Sequence, residues 1–118
     1  MIDHVAIPVR DLAASRTFYG PVLETLGAAV VLEWPGGMIF GTDDGMLALR
    51  ERDQVMPVHV AFKADRAGVE RFYAAALAAG GSDNGAPGIR SEYHEHYYAA
   101  FVTDPDGHNI EAVCHQPG

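Results

Sequence analysis

His4-Val5-Ala6 near the amino end and His59-Val60-Ala61 in the middle of the chain are one short phrase used twice, and the residues downstream of each copy decide the fold. Phe18-Tyr19 stands 14 residues after His4, and Phe72-Tyr73 stands 13 residues after His59. A helix-length segment then ends at Gly27-Ala28 in the first half and at Gly80-Gly81 in the second. Asp44-Gly45 is echoed by Asp106-Gly107, the glycine lying 41 residues from its histidine in one half and 48 in the other. Matches in the same order with near-equal spacing point to a duplicated unit. The additional residues fall to the Gly, Pro, Ser and Asn-rich stretch between Gly80 and Ser91, where a loop tolerates length change.

Each unit reads as βαβββ. Ile2 to Val9 alternates and is rich in β-branched residues, so it predicts a strand. Asp11 can cap the next helix, which carries Leu12, Phe18, Tyr19, Val22, Leu23 and Leu26 and stops at Gly27, with Pro21 as a point of strain. Strands are predicted at Ala29 to Trp34, Met38 to Thr42 and Met46 to Arg50, separated by Pro35-Gly36-Gly37 and Asp43-Asp44-Gly45. A strand over Val58 to Ala64 and a helix over Arg66 to Ala79 begin the second copy. The expectation is one α+β domain over residues 1–118, with module 1 at 1–52 and module 2 at 57–118.

Composition narrows the function classes. Sixteen acids against eight bases give a net charge of −8, and the bases are scattered from Arg10 to Arg90, so nucleic acid and anionic lipid are poor partners. Cys114 is the only cysteine, which excludes an internal disulfide and a cysteine-based zinc site and fits a reducing compartment. The amino end is acidic and amphipathic, unlike a secretory leader, and no apolar run approaches the ~20 residues of a membrane span. A cytoplasmic location is expected. No phosphate-binding glycine loop has the required spacing, and no serine-hydrolase elbow occurs.

His4 and His59 at the heads of matching strands, the helix after Arg10-Asp11-Leu12, and Asp104-Pro-Asp-Gly-His-Asn-Ile-Glu111 together resemble the vicinal oxygen chelate superfamily. That superfamily includes glyoxalase, bleomycin-resistance proteins and extradiol dioxygenases. The resemblance covers essentially the whole chain. It implies two tandem βαβββ modules forming an incomplete barrel around a cavity. It also implies that His4, His59 and Glu111 are metal ligands, because the family's matching residues are.

The residues themselves agree with that set. A pseudo-two-fold axis between the copies would bring His4 and His59 toward one point, and Glu111 lies on the closing strand nearby. Two imidazoles and one carboxylate leave about three of six octahedral positions open, an arrangement suited to chelating adjacent oxygens or activating O₂. Iron, manganese, nickel or zinc would each serve. Matching Gly45 to Gly107 puts Leu49 where Glu111 stands, so the first module lacks glyoxalase's second carboxylate, with Glu51 as a weak substitute after a two-residue slip. Singly, a strand histidine is more often a structural hydrogen-bonding group than a ligand.

Tyr93-His94-Glu95-His96-Tyr97-Tyr98 is the second cluster, and its tyrosines and histidines could donate to a substrate oxyanion or move protons. Tyr93, His94, Tyr97 and Tyr98 are the catalytic candidates. Alternation along an extended segment would turn either Tyr93, Glu95 and Tyr97 or His94, His96 and Tyr98 inward. A solvated edge or a dimer interface is the bland alternative. Trp34, Met38 and Phe40 could line the cavity or simply pack in the core. His108 should face away from Glu111 in a turn or surface role, His115 should lie at the cavity rim, and Cys114 should be a buried inert thiol.

Two functions of different class remain. One is a metal-dependent enzyme acting on a small molecule, either a lyase resembling lactoylglutathione lyase or an extradiol-type dioxygenase. The other is a metal-free protein that sequesters a small aromatic or drug-like molecule. A homodimer is expected in either case, because open sheet edges favour pairing and superfamily members assemble cavities from paired modules.

Overall fold

A computed structural model describes all 118 residues. Strand β1 (His4–Val9), helix α1 (Leu12–Glu24) and strands β2 (Ala29–Trp34), β3 (Gly37–Thr42) and β4 (Gly45–Glu51) form the first module. Strand β5 (His59–Lys63), helix α2 (Arg66–Ala78) and strands β6 (Ser82–Asp83), β7 (Gly88–Ile89), β8 (Tyr98–Thr103) and β9 (Asn109–Cys114) form the second. Sheet A has the order β1-β4-β3-β2, and sheet B has β5-β9-β8-β6 with β7 also paired to β8. The first strand lies parallel to the last in both modules, β1 on β4 and β5 on β9. The duplicated α+β architecture read from the sequence is therefore present, as two open sheets and two helices.

Local chemistry explains why both helices begin and end alike. Asp11 accepts the Ala14 N–H at 3.1 Å, and Asp65 accepts the Gly68 N–H at 2.6 Å, satisfying donors that a first helical turn leaves free. At the other end Gly27 and Gly80 take φ of +83° and +96°, and the next residue donates back to the carbonyl five positions earlier, Ala28 to Leu23 and Gly81 to Ala76. Pro21 sits inside α1 without ending it.

One face of each sheet packs on the helices, and a single hydrophobic cluster runs through both modules. Phe18 and Tyr19 from α1 and Phe72 from α2 are fully buried within it. Met38 and Phe40 belong to this cluster, so the reading that they line a cavity is overturned. The modules meet through α1 against α2 and through the 104–108 turn. Gly81 carries no side chain at that seam, because a Cβ there would stand 2.6 Å from the Phe18 ring.

The opposite faces of the two sheets carry no helix. Register places His4, Ala6, Met46, Ala48 and Ile39 on the open face of sheet A. On sheet B it places His59, Glu111, Phe101, Tyr97 and His115 together. Leu32 is 56% exposed on the former, and the side chains of His4 and His59 are 56% and 49% exposed. Two shallow depressions, of about 500 and 300 Å³, lie at the turn end of sheet A and involve none of His4, His59 or Glu111. No helix is long and apolar enough to cross a membrane.

Candidate functional site

Glu111 is the centre of the open face of sheet B. It pairs with Ala61 on one side and Phe101 on the other, and only 1% of it is exposed. His59, two residues before Ala61 on β5, brings its Nε2 to 3.0 Å from Glu111 Oε1. The other ring nitrogen of His59 lies 2.9 Å from the Asn109 carbonyl oxygen, which can only accept, so Nδ1 carries the proton. With that proton on Nδ1, Nε2 is the nitrogen that faces the carboxylate oxygen. Two acceptors at 3.0 Å need a cation between them, either a proton or a metal ion.

The geometry fits a metal. Ligand bonds of about 2.1 Å to a divalent transition ion put two adjacent octahedral donors about 3 Å apart. A ligating histidine characteristically donates its second N–H to a carbonyl, as His59 does here. The remaining carboxylate oxygen, Oε2, accepts from the Tyr97 hydroxyl. Burial of that phenol, followed by the hydrogen bond and charge of Glu111, pushes the Tyr97 pKa far above its ordinary value, against a smaller opposing effect of Arg90. Tyr97 is thus a donor that orients the carboxylate and a poor base.

His4 lies on the other sheet. Its Nδ1 is 2.7 Å from Asp3 Oδ1, and its ring does not gather with His59 and Glu111 within 4.8 Å in one chain. Structural equivalence of the modules can be read from register: His4 opposite Met46 corresponds to His59 opposite Asn109, so Ala48 occupies the place of Glu111. Leu49 instead packs in the core. Glu51 is removed as a substitute ligand, because its Oε2 accepts the Leu12 N–H at the start of α1, on the helix side of sheet A.

The segment 91–97 is a series of turns and does not alternate. Tyr93 and Tyr97 are in ring contact at 4.8 Å, His94 stacks on His115 at 5.1 Å, and Tyr97 meets both histidine rings edge-on. His94 Nδ1 accepts the His96 N–H, so its Nε2 donates to His115 Nδ1 at 2.8 Å. Neither ring keeps a free lone pair in that arrangement. Tyr98 is on the helix side, donating to Glu70 at 2.8 Å beneath the Arg66 guanidinium. The Glu70 hydrogen bond is the main cause of its raised pKa.

Asp104, Asp106 and His108 bring ligand atoms within 4.8 Å of one another and so could hold an ion. Most of their ligand atoms already serve in hydrogen bonds within the protein. Asp104 Oδ1 accepts the N–H groups of Asp106 and His108, and Oδ2 accepts from Tyr19 at 2.5 Å. Asp106 Oδ1 accepts from the backbone and guanidinium of Arg10. His108, wholly buried, takes the Val58 N–H on Nδ1 and donates from Nε2 to the Pro8 carbonyl at 2.7 Å. A surface role for His108 is thereby excluded: it ties β1 to the entry of β5. Cys114 is buried, as expected.

Arg90 and Phe101 carry no signal of their own in the sequence. Arg90 lies opposite Tyr97 across the β7–β8 ladder, its guanidinium 5.4 Å from the Phe101 ring centroid. Only the parity of the strand residues around Tyr98 could have indicated this, and the turn hides it.

Comparison with known proteins places these features in a family. The model of the Glyoxalase/Bleomycin resistance protein/Dioxygenase superfamily matches residues 1–112. A glyoxalase/bleomycin resistance protein from Albidiferax ferrireducens T118 is 28% identical, with 99% of each chain covered and a TM-score of 0.84. A lactoylglutathione lyase from Agrobacterium tumefaciens is 22% identical over 97% of this chain and 92% of that one, with a TM-score of 0.73. A family enzyme from Burkholderia phytofirmans PsJN is 20% identical over 97% and 98%, with a TM-score of 0.77. The last two show the shared fold. No curated protein sequence matches the chain. The open βαβββ pair and the family match from residue 1 to residue 112 make this chain a member of the Glyoxalase/Bleomycin resistance protein/Dioxygenase superfamily.

Proposed function

We propose that the protein is a metal-dependent enzyme acting on a small molecule with two adjacent oxygens, its divalent ion held by His59, Glu111 and His4. The observation that carries this reading is His59 Nε2 facing the Glu111 carboxylate at 3.0 Å, with both groups fixed from behind by Asn109 and Tyr97. Because His4 stands on the other sheet, a second copy of the chain supplies it, its open face of sheet A covering the open face of sheet B. The half-exposed His4 and His59 and the apolar Leu32 are then covered together.

Iron, manganese, nickel or zinc, once bound, would take both substrate oxygens and stabilise negative charge developing on them. The chain's own residues do the positioning. Tyr97 keeps its proton and holds Glu111; Asn109 sets the tautomer of His59. Tyr93, 63% exposed beside Tyr97, is the phenol of the cluster free to reach a bound molecule. The donor set serves a lyase of the lactoylglutathione type and an extradiol-type dioxygenase equally, and metal preference separates them.

The test is elemental analysis of untagged protein after anaerobic loading with Fe(II), Mn, Ni or Zn and dialysis. About one ion per chain, lost in His59→Ala, is the expected result. No tight metal under any loading overturns the enzyme reading in favour of a metal-free, ligand-sequestering protein. Chelator gives an independent readout, since an ion present at 100 times its Kd stabilises the folded state by about 2.7 kcal/mol.

A further inference from the structure

Arg90 is a half-buried guanidinium on the open face of sheet B with no carboxylate within 4.0 Å, in a chain whose acids outnumber its bases sixteen to eight. Its surroundings fix it in place. Nη2 donates to the Ala86 carbonyl at 2.8 Å, and the group lies over the Phe101 ring. Gly85 and Gly88 make room for it: a Cβ at either would stand 3.0 Å from a guanidinium nitrogen. An arginine has five N–H donors, and a single one is used here. A cation stacked on an aromatic face, desolvated in part and unpaired, is built to receive an anion.

Its position says which anion. Phe101 is the register partner of Glu111, and Tyr97, opposite Arg90, reaches Glu111 with its hydroxyl. Arg90 thus extends the strand that lies two spacings, about 9.6 Å, from that of Glu111, and Phe101 lies between, 5.4 Å from the Arg90 guanidinium and 6.3 Å from the His59 ring. We propose that Arg90 is the substrate anchor of this site and that the substrate is an organic acid, its carboxylate on Arg90 and its two adjacent oxygens at the His59–Glu111 pair. The ring of Phe101 lies between the two ends, stacked near His59 on one side and under the Arg90 guanidinium on the other, which favours a planar aromatic acid. This assignment rests on the proposed metal site for the oxygen end alone.

The test compares 3,4-dihydroxybenzoate with 1,2-dihydroxybenzene, which share the adjacent oxygens and differ in the carboxylate. Calorimetric titration of zinc-loaded protein should show at least tenfold tighter binding of the acid. In Arg90→Gln that preference should vanish while zinc uptake and binding of 1,2-dihydroxybenzene stay unchanged; Arg90→Lys, keeping charge without the fork, should retain part of it. Equal affinities in the wild type, or a preference that survives in Arg90→Gln, would overturn the proposal. Should the wild type take up no zinc, the titration is run with whichever of Fe(II), Mn or Ni it does take up; should it take up none of the four, the metal reading has failed separately. Benzoate against benzamide in chelated protein then decides: a benzoate preference abolished by Arg90→Gln upholds the anchor, and no preference refutes it.

Discussion

Asp104→Ala should be among the most destabilising single substitutions in this chain. The carboxylate accepts three hydrogen bonds, from the Tyr19 hydroxyl at 2.5 Å, the Asp106 N–H at 2.9 Å and the His108 N–H at 2.8 Å. The Asp106 N–H is at the turn, where water can replace its partner. Tyr19 and His108 are wholly buried, and water cannot reach them without opening the seam between modules. Two stranded donors at about 1–3 kcal/mol each give a loss centred near 4 kcal/mol, against the 5–15 kcal/mol that holds a domain of this size together. The melting temperature should fall by roughly 15 °C. Asp104→Asn keeps an acceptor for both N–H groups and lets the Tyr19 hydroxyl accept instead, so it should cost only about 1–2 kcal/mol. Urea unfolding followed by circular dichroism measures both. A loss below about 1 kcal/mol in the alanine variant, or an asparagine variant equally unstable, would refute the hydrogen-bond account. A melting temperature that drops with chelator in the wild type but not in either variant would point instead to an ion at Asp104, Asp106 and His108.

Three further outcomes are expected. Glu111→Ala should remain folded and lose metal at least as severely as His4→Ala, because it removes the only carboxylate of the proposed set; stoichiometric metal in the purified variant would eliminate the site. Tyr97→Phe should weaken metal binding by about 10–100-fold by freeing Glu111, and a titration showing unchanged affinity would deny Tyr97 that positioning role. Tyr19, whose pKa is raised chiefly by burial and then by the charge of Asp104, keeps its proton in the folded state. Its stabilisation is complete below the unfolded tyrosine pKa of about 10 and falls by about 1.4 kcal/mol per pH unit above it, so Tyr19→Phe should flatten the alkaline limb of the stability profile. An identical alkaline slope in that variant would contradict the assignment.

The repeat was legible because helix caps and turn residues are local. Asp11 and Asp65, Gly27 and Gly80 act within a few residues of themselves, so the sequence pattern and the structure agree there. Side-chain direction was legible where a strand continues and illegible where it does not. His115 falls on the face of Glu111 as strand parity requires, and Tyr98 turns to Glu70 on the other. Between Ser91 and Tyr97 the backbone turns, so alternation stops governing and Tyr93, His94 and Tyr97 collect on one side. Arg90 escaped notice for the same reason: its value comes from what surrounds it, two glycines and a ring eleven residues away, and no local spacing encodes that.

The one-residue offset between modules is informative in its own right. From Gly45 to the residue opposite His4 is one step, and from Gly107 to the residue opposite His59 is two. The inserted residue is His108, which bridges Pro8 and Val58 and so fixes one module on the other. Aligning by the Asp-Gly pairs hides that insertion and puts Leu49 in place of Ala48. With alanine there, the open face of sheet A offers an imidazole and the Arg50 guanidinium but no carboxylate, while the open face of sheet B offers an imidazole, a carboxylate and a guanidinium. Unlike faces can pair, and a two-fold axis that sets sheet A of one copy on sheet B of another necessarily does so twice. In the proposed dimer each such pairing would unite His4 with His59 and Glu111 and give two equivalent three-ligand sites, so metal content measured against oligomeric state should reach two ions per dimer and fall toward none in dissociated chains.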